Sequence, residues 1–442
     1  MRKGTKTLKG LILCLIFSNG IANAQDFTLK QAQDYAIEHY YESVNAGLDI
    51  QKSKAKIWET TAIGLPHVNA TGSYRYAADL EFDFDLSGGI PPGQDFLAVF
   101  AADNISQGKL EATQLIFDGS YIVGLQASKK YHEFSTASLE KTNNEVRNMI
   151  ASSYYLVLVA DENMKILDGS LETLEASLKE TKALVEQGFM DETELDQLEL
   201  MKSDLETSIQ SAKQSKDVAL KMLKLNMGMD ISGTVNLSDS LAGIMEQINI
   251  EALMGQTFNA GGNPDLKVLG VQKELLALDL KRYKAQRLPT VAAFYQYQNT
   301  AYQFEWDWLK DASWFDAQNL GLSVSVPILS SGQQGAVIKQ ARLELNKMEN
   351  TYNYVQNAMS IQFTNALNDL NTKYGNLQNA QKSLAIAEKI YDRTQKKHKE
   401  GLASSFELSQ MKNQVLQSQG KYIQALFDLL NAKAELDKLQ NK

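Results

Sequence analysis

The chain has 442 residues, with 44 Lys and Arg against 53 Asp and Glu, and a formal net charge of −9. This acidic balance argues against nucleic acid as a partner, because nucleic-acid binding requires clustered Lys and Arg. A single cysteine excludes a disulfide framework, so packing, strand pairing or assembly must hold the fold together.

The first 24 residues have the pattern of a secretory signal peptide. Basic residues precede a short apolar run, LILCLIF, and Ala22 and Ala24 supply the small residues that signal peptidase requires. The apolar run is too short to span a membrane. We therefore expect residues 1–24 to be a signal peptide and the rest of the chain to be exported. The exported part contains no cysteine, because Cys14 lies in the signal.

Residues 25–230 follow a plan of short helix, strand, loop, strand and two long helices. Pro66 is predicted to end the preceding helix and to mark a helix-to-strand junction, because proline cannot donate the next helical hydrogen bond. It opens a run that alternates apolar and polar residues and ends with Tyr74 and Tyr76. A second alternating run leads into the segment LIFDGS. Alternation with a period of two predicts strands, and the long stretches without proline predict helices. The predicted strands are about 66–77 and 108–117, and the predicted long helices are about 120–187 and 191–228.

After a connector at residues 231–262, residues 263–442 repeat the same plan. Pro289 takes the place of Pro66, PILSSG with Pro327 takes the place of LIFDGS, and Gly401 takes the place of Gly188. The predicted strands of this second repeat are about 289–299 and 318–327, and its predicted long helices are about 333–399 and 404–440.

The helix after each tight turn has the spacing of a coiled coil, with seam positions separated alternately by three and four residues. The longer helix before the second turn carries Leu370, Leu377, Leu384 and Tyr391 on a spacing of seven. Roughly 65 helical residues would extend about 100 Å, which is too long for one globular domain. The two seams are Leu195, Leu198, Lys202, Leu205, Ile209, Ala212, Lys216, Ala219 and Leu223, and Leu408, Met411, Val415, Ser418, Tyr422, Ala425, Leu429, Ala432 and Leu436.

The alternating strands allow two interpretations. Alternation over nine or ten residues occurs in half-buried strands of ordinary sheets and in strands of membrane β-barrels. Four strands cannot close a barrel in a membrane, because unpaired strand edges are too costly in lipid. Three chains that share their strands would supply twelve.

In this order and in duplicate, the features resemble the outer membrane factor family of TolC-type efflux channels. They are the Leu-Pro before the first strand of each repeat, the LIFDGS and PILSSG segments, and the tight turns EQGFMDETEL and KEGLASSFEL. The resemblance implies a mainly α fold with a small β part and a homotrimer. Its coiled-coil helices would form an α-barrel across the periplasm, and four strands per chain would build a shared 12-strand transmembrane β-barrel. The chain departs from the family pattern at Leu115 and at Tyr40–Tyr41, where the family usually has proline and Asn-Pro.

The tight turns are candidate functional sites. Gly188 and Gly401 lie where a long helix must reverse, and glycine can adopt the left-handed conformation there. The resemblance implies that these tips form the periplasmic entrance and bind a membrane-fusion adaptor, with Phe189 and Leu402 beside the glycines.

Acidic residues after the tips are candidate gating residues. The resemblance aligns Glu407 with a family acid that narrows the entrance and favours cations, whereas Gln410 occupies a second such position without a charge. Glu194 is the equivalent of Glu407 in the first repeat. Three copies of one acid in a trimer would disfavour anions. The alternative is an exposed glutamate that is favoured near a helix N-terminus.

Aromatic residues mark the ends of the strands and the loop between the last two strands. They could form an interfacial girdle or a lid over the barrel mouth, or they could pack between symmetry-related loops. The residues are Tyr74, Tyr76, Tyr295, Tyr297, Trp306, Trp308 and Trp314.

The predicted function is a passive exit duct for a tripartite efflux or type I secretion system. The partners are two further copies of the chain, a periplasmic adaptor, an inner-membrane pump and the lipid of a Gram-negative-type outer membrane. The sequence offers no catalytic cluster and no metal-ligand spacing, so neither enzymatic activity nor a cofactor is expected. The alternative is a periplasmic coiled-coil scaffold or adaptor without a barrel, which would explain the seams but not the duplicated strands.

Overall fold

The computed structural model describes residues 25–76, 103–303 and 314–441. The chain is mainly helical with a small β part, as the sequence predicted. In order, the elements are β1 (Gln25–Phe27), α1 (Leu29–His39), α2 (Tyr41–Ala62), β2 (His67–Tyr76), β3 (Asn104–Asp118), α3 (Gly119–Glu186), α4 (Glu192–Met227), β4 (Val235–Leu237), α5 (Leu241–Glu246), α6 (Ile250–Met254), α7 (Pro264–Ala285), β5 (Thr290–Gln303), β6 (Trp314–Ser325), α8 (Gln333–Lys399) and α9 (Ser405–Gln440).

Four strands form one antiparallel sheet in the order β2-β3-β5-β6. The two hairpins pair in equivalent registers: His67 lies opposite Thr113 in the first, and Thr290 lies opposite Ser325 in the second. A further ladder joins the repeats, because β3 pairs with β5 from Asn104–Gln303 to Asp118–Thr290, with a bulge between Leu115 and Phe117. The sequence repeat is therefore also a repeat in strand pairing.

The sheet has one apolar and one polar face. Opposite residues on paired strands share a face, so the pairing of Tyr295 with Leu320 and of Ala293 with Leu322 collects apolar side chains on one side. On the other side, the amide of Gln296 donates to Gln298, and Gln298 donates to Thr300, each over 3.0 Å. The alternation in the sequence thus predicted the two faces correctly.

Some predicted strand limits are wrong. β3 begins at Asn104, four residues before the predicted start, and β5 continues to Gln303. β6 runs from Trp314 to Ser325, so Trp314 lies in a strand rather than in the loop, and Pro327 lies beyond the strand. The central strands extend further than expected because each has a partner on both sides, so pairing continues past the alternating run.

Pro66 and Pro289 do not end the helices that precede them. The helices stop at Ala62 and Ala285, and the two prolines directly precede β2 and β5. Proline tolerates this place because the first residues of a strand need not donate to the ladder. The two prolines therefore lie between a helix and a strand, immediately before the first strand residue.

The chain divides into two compact units, each of which draws on both sequence repeats. The unit that contains the sheet comprises Val44–Asn144, Phe258–Thr364 and the residues from Leu439 onward. The other comprises residues up to Ser43, Glu145–Thr257 and Asn365–Lys438 and contains both helix reversals.

The unit with the reversals has an apolar core built by the predicted seams. Its buried cluster joins residues of four long helices: Leu167, Leu174, Leu198, Met201, Leu205, Ala212, Ala387, Tyr391, Leu408 and Val415. Lys202 and Lys216 occupy seam positions but lie at the edge, where they form ion pairs with Glu175 and Asp161. The heptad spacing therefore predicted the buried face of α4 and α9.

Within the described residues, no helix combines the length and the apolar character needed to cross a membrane.

Candidate functional site

The reversal between α3 and α4 is a glycine-terminated helix end. Gly188 has φ +75, and its N–H donates to the carbonyl of Val185 over 2.9 Å. The N–H of Phe189 donates to the carbonyl of Leu184 over 2.9 Å, which completes a Schellman arrangement. The ring of Phe189 is 76% exposed.

The reversal between α8 and α9 has the same geometry. Gly401 has φ +71, its N–H donates to His398, and the N–H of Leu402 donates to Lys397 over 2.8 Å. Leu402 is 73% exposed, and Phe406 is also exposed. Both predicted tips therefore consist of a left-handed glycine followed by an apolar side chain in solvent.

The helices that leave the two tips are capped by different side chains. The carboxylate of Asp191 accepts hydrogen bonds from the hydroxyl and the N–H of Thr193, and these bonds hold the pKa of Asp191 below its usual value. At the second tip, the hydroxyl of Ser404 accepts a hydrogen bond from the N–H of Glu407 over 3.2 Å. Both caps satisfy a donor that the first helical turn leaves free.

The structure separates the three predicted gating residues. Glu407 and Gln410 lie exposed on α9. Glu194 is half-buried, and its carboxylate accepts a hydrogen bond from the backbone N–H of Ser405, the first residue of α9. Glu194 thus links the first hairpin to the second, whereas the side chain of its sequence counterpart Glu407 faces solvent.

His398 is a second link between the hairpins that the sequence did not reveal. Its ring is buried, with Nδ1 3.0 Å from the carbonyl oxygen of Ala403 and Nε2 3.4 Å from the hydroxyl of Thr181. Nearby, Lys399 forms an ion pair with Glu180 over 2.9 Å. A lone histidine carries no sequence signal for such a role, because the contact to Thr181 joins residues far apart in the chain.

Lys412 is a buried cation that sequence reasoning also missed. Its ammonium lies 5.0 Å from the ring centre of Tyr391, among the apolar side chains of the core. Burial lowers the pKa of Lys412, with Glu388 acting in the opposite direction, and burial also raises the pKa of Tyr391 to about 12. The cation–π contact offsets part of the cost of burying the charge.

The predicted aromatic residues share one face of the sheet where they are described. Tyr295 and Tyr297 alternate with polar residues on β5, and Trp314 lies opposite Ala301 on the same face. The ladders from β5 through β3 to β2 place Tyr74 and Tyr76 on this face as well. Trp306 and Trp308 lie outside the described residues.

Among the residues that the structure describes, no cluster of His, Cys, Asp and Glu side chains is arranged to hold a metal ion.

The model of the family described as outer membrane efflux protein matches residues 260–442, which comprise the second repeat. Comparison with curated protein sequences finds no match.

Solved structures share the fold over nearly the whole chain. A crystal structure of CusC aligns with a TM-score of 0.73 at 15% identity and covers 94% of this chain and 92% of its own. The open state of the Neisseria gonorrhoeae MtrE outer membrane channel aligns with a TM-score of 0.71 at 15% identity, covering 93% and 88%. The Campylobacter jejuni CmeC outer membrane channel gives 0.69 at 16% identity, covering 93% and 85%.

These structural matches show the fold, and the family model matches the second repeat. The fold extends through both repeats, so the first repeat has the same architecture although the family model does not match it. Residues 260–442 are therefore similar to the outer membrane efflux protein family, and the chain has the fold of these solved structures.

Proposed function

We propose that this protein is the outer-membrane exit duct of a tripartite efflux or type I secretion system. The observation that carries the proposal is the amphipathic four-stranded sheet. In the described part of that sheet, β2 and β6 have a partner on one side only. Its apolar face is exposed at Val68, Leu320 and Leu322, which is costly in water and suits contact with lipid.

The same sheet supports a homotrimer. An unpaired strand edge cannot remain in a lipid environment, and three copies would close twelve strands into a barrel. The polar face, with its Gln296–Gln298–Thr300 hydrogen-bond chain, would then line the interior. Such a wall binds solutes weakly, which suits a passive duct whose energy comes from an inner-membrane pump. No enzymatic activity, cofactor or nucleic-acid partner belongs to this proposal.

The hairpin tips are the proposed periplasmic entrance and the docking point for a membrane-fusion adaptor. Each presents an apolar side chain, Phe189 or Leu402, next to a left-handed glycine, and Phe406 is also exposed at the second tip. Apolar side chains from several tips that are brought together in a trimer would form the kind of exposed patch that is typical of interaction sites. CmeC and MtrE are named as outer membrane channels, and the present proposal extends that role to this chain.

Fractionation and gel mobility test the proposal. We expect the protein in the outer-membrane fraction as a trimer that resists dissociation by detergent at room temperature, and we expect ion conductance in planar bilayers. A soluble periplasmic monomer without conductance would favour the alternative of a coiled-coil scaffold or adaptor.

Glu407 is the proposed selectivity residue, because it is exposed on α9 beside the tip. Three carboxylates around a narrow entrance would attract cations and repel anions. Glu407→Gln is expected to lower the preference for cations in bilayer recordings, and Glu194→Asp serves as the matched control. An unchanged reversal potential in Glu407→Gln would assign Glu407 to the ordinary exposed surface.

A further inference from the structure

The unit that contains the sheet has a cavity of about 1100 Å³ where its strands meet its helices. Residues of α2, α3, α7 and the end of β3 line this cavity. Helix α3 bonds to both other helices. The hydroxyl of Tyr121 donates to the carbonyl of Thr61 on α2, and Lys281 of α7 donates to the side chain of Gln126. A single chain therefore builds the cavity, without a second copy.

The cavity lies on the polar side of the sheet. The lining residue Leu115 pairs with Ala292. The carboxylate of Asp118, which also lines the cavity, accepts a hydrogen bond from the hydroxyl of Thr290 over 3.2 Å. Ala292 and Thr290 alternate in step with Gln296, whose side chain belongs to the polar face. In the proposed trimer this face lines the interior, so the cavity would be a recess in the wall of the duct.

Small and apolar side chains line much of the cavity. Ile63 and Tyr131 belong to the lining and are 53% and 38% exposed. Gly124 and Ala127 lie on the same face of α3, and a Cβ added at Gly124 would meet no atom within 4 Å. A recess with an apolar lining and a few polar groups is suited to an organic molecule with a ring system or a short chain.

The charged side chains of the lining come from equivalent positions of the two repeats. Lys56 of α2 corresponds to Asp279 of α7 at an offset of 223 residues, and at the same offset Glu59 corresponds to Arg282. The charge is reversed at both positions. Lys56 forms an ion pair with Glu59 over 2.7 Å, and Arg282 forms one with Asp279 over 3.1 Å. The two sides of the cavity are therefore each neutralised within their own helix.

The buried polar atom of the lining that lacks a partner is a donor. The Nε of Arg282 is buried and has no hydrogen-bond partner among the described residues. Lys52, which also lines the cavity, has only a long ion pair of 3.8 Å with Asp49. By contrast, the carboxylate of Asp118 is occupied by the N–H groups of Ser120 and Tyr121, by the hydroxyl of Ser120 and by Thr290. A ligand that supplies acceptors would satisfy this lining.

We propose that this cavity binds an amphipathic organic anion, an apolar ring system or short chain that carries one carboxylate or sulfonate. The acidic group accepts hydrogen bonds from Arg282 and Lys52, and the apolar part covers Ile63 and Tyr131. The side chain of Lys52 is 75% exposed, so solvent screens its charge and a solute can leave again. The inference rests on the proposed function for its meaning, since it names a class of solute for the wall of the duct.

Calorimetric titration of the purified full-length protein tests the site, with protein-free buffer and lipid as the blank. The probe is naphthalene sulfonate. Naphthylmethylammonium and naphthol keep the same rings and replace the sulfonate by a cation and by an uncharged hydroxyl. We expect the sulfonate to bind and the cation not to bind at the same concentrations. Naphthol should bind about tenfold more weakly than the sulfonate, because it lacks the charge-assisted hydrogen bonds.

Two substitutions should weaken binding of the sulfonate by about tenfold each. Gly124→Leu fills the cavity, and Arg282→Gln removes the buried donor. Gly169→Leu is the control for the first, because Gly169 lies on α3 outside the lining and a new Cβ there also meets no atom within 4 Å.

Lys52→Gln should weaken binding by about twofold to fivefold, since its charge is screened by solvent. Lys54→Gln on the same helix, outside the lining, is its control and should leave binding unchanged. Thermal unfolding of each variant verifies that it is folded.

The outcomes separate the site from the proposed function. If Gly124→Leu and Arg282→Gln both bind the sulfonate as tightly as the unmodified protein, the cavity is not the site. Equal binding of all three probes would indicate an apolar groove that accepts any hydrophobic molecule, lipid included, and would overturn recognition of an anion. No binding by a protein that is a trimer and conducts ions would overturn the site alone. A soluble monomer with the expected binding would overturn the duct and leave the site standing.

Discussion

The two hairpin tips share their backbone geometry but not their side-chain contacts. At both tips a glycine with positive φ ends the long helix, and an exposed apolar residue follows it. Below the turn they differ, because Glu194 of the first hairpin binds the start of α9, whereas its counterpart Glu407 remains exposed. Duplication has therefore kept the turn and separated the roles of the two acids.

The two hairpins therefore have different structural roles. The first tip supplies a carboxylate that holds the second hairpin in place, and the second tip supplies the buried His398 and the exposed Glu407. Glu194 and Glu407 are therefore not equivalent in the structure. The comparison can be tested by changing matched residues in the two hairpins.

The largest difference is expected at the first seam position of each hairpin. Leu408 is 1% exposed, whereas its counterpart Leu195 is half-buried. Leu408→Ala should lower the free energy of unfolding by about 2–5 kcal/mol, because it leaves a cavity in the core, and Leu195→Ala should cost less. Denaturant unfolding in detergent, followed by circular dichroism, measures both. Equal losses would contradict the unequal packing of the hairpins.

The tip glycines should respond alike. Gly188→Ala and Gly401→Ala each force a side chain into the left-handed region, which costs about 1–2 kcal/mol. A new Cβ meets no atom within 4 Å at either position, so steric clash adds nothing. Gly420→Ala, in the interior of α9, is the control and should not destabilise. The same unfolding assay measures these variants. A loss of stability for only one of the two glycine variants would contradict the equal geometry of the two turns.

The acids should respond unequally. Glu194→Gln weakens a hydrogen bond to the N-terminus of α9 and should cost about 1 kcal/mol, since the group is only half-buried. Glu407→Gln should change the free energy of unfolding by less than about 0.5 kcal/mol, because its carboxylate is exposed. A larger loss of stability for Glu407→Gln than for Glu194→Gln would mean that Glu407, and not Glu194, links the two hairpins.

The smallest effect on stability is expected at the exposed apolar residues. Phe189→Ser and Leu402→Ser should each change the free energy of unfolding by less than about 0.5 kcal/mol. Both should reduce co-purification with the proposed membrane-fusion adaptor, because they remove the exposed apolar side chain at the tip. Exposed Leu200→Ser on α4, away from the turn, is the matched control. If both tip variants co-purify with the adaptor as well as the unmodified protein does, the tips are not part of the adaptor site.

Much of the fold follows from local patterns in the sequence. Alternation around Tyr295 and Leu320 predicted the two faces of the sheet, because side-chain direction in a strand has a period of two. The spacing of Leu198, Leu205 and Ala212 predicted the buried face of α4, because side chains seven residues apart lie on the same face of a helix. The limits of β3 and β6 could not be predicted this way, since they depend on which strands are available as partners.

The site was predicted in part. Gly188 and Gly401 were identified because a helix that reverses within a few residues requires a residue that tolerates positive φ. The roles of His398 and Lys412 carried no local signal, because burial of a polar side chain depends on what packs over it.

The sequence by itself determined the duplicated plan, the amphipathic strands, the heptad seams and the glycine turns, since each depends on residues close together in the chain. Only the tertiary structure decided that Glu194 binds Ser405 while Glu407 is exposed, and that, among the described strands, β3 has two partner strands and β6 has one. These outcomes depend on contacts between residues about two hundred positions apart, and a local pattern that occurs twice cannot say which copy makes the contact.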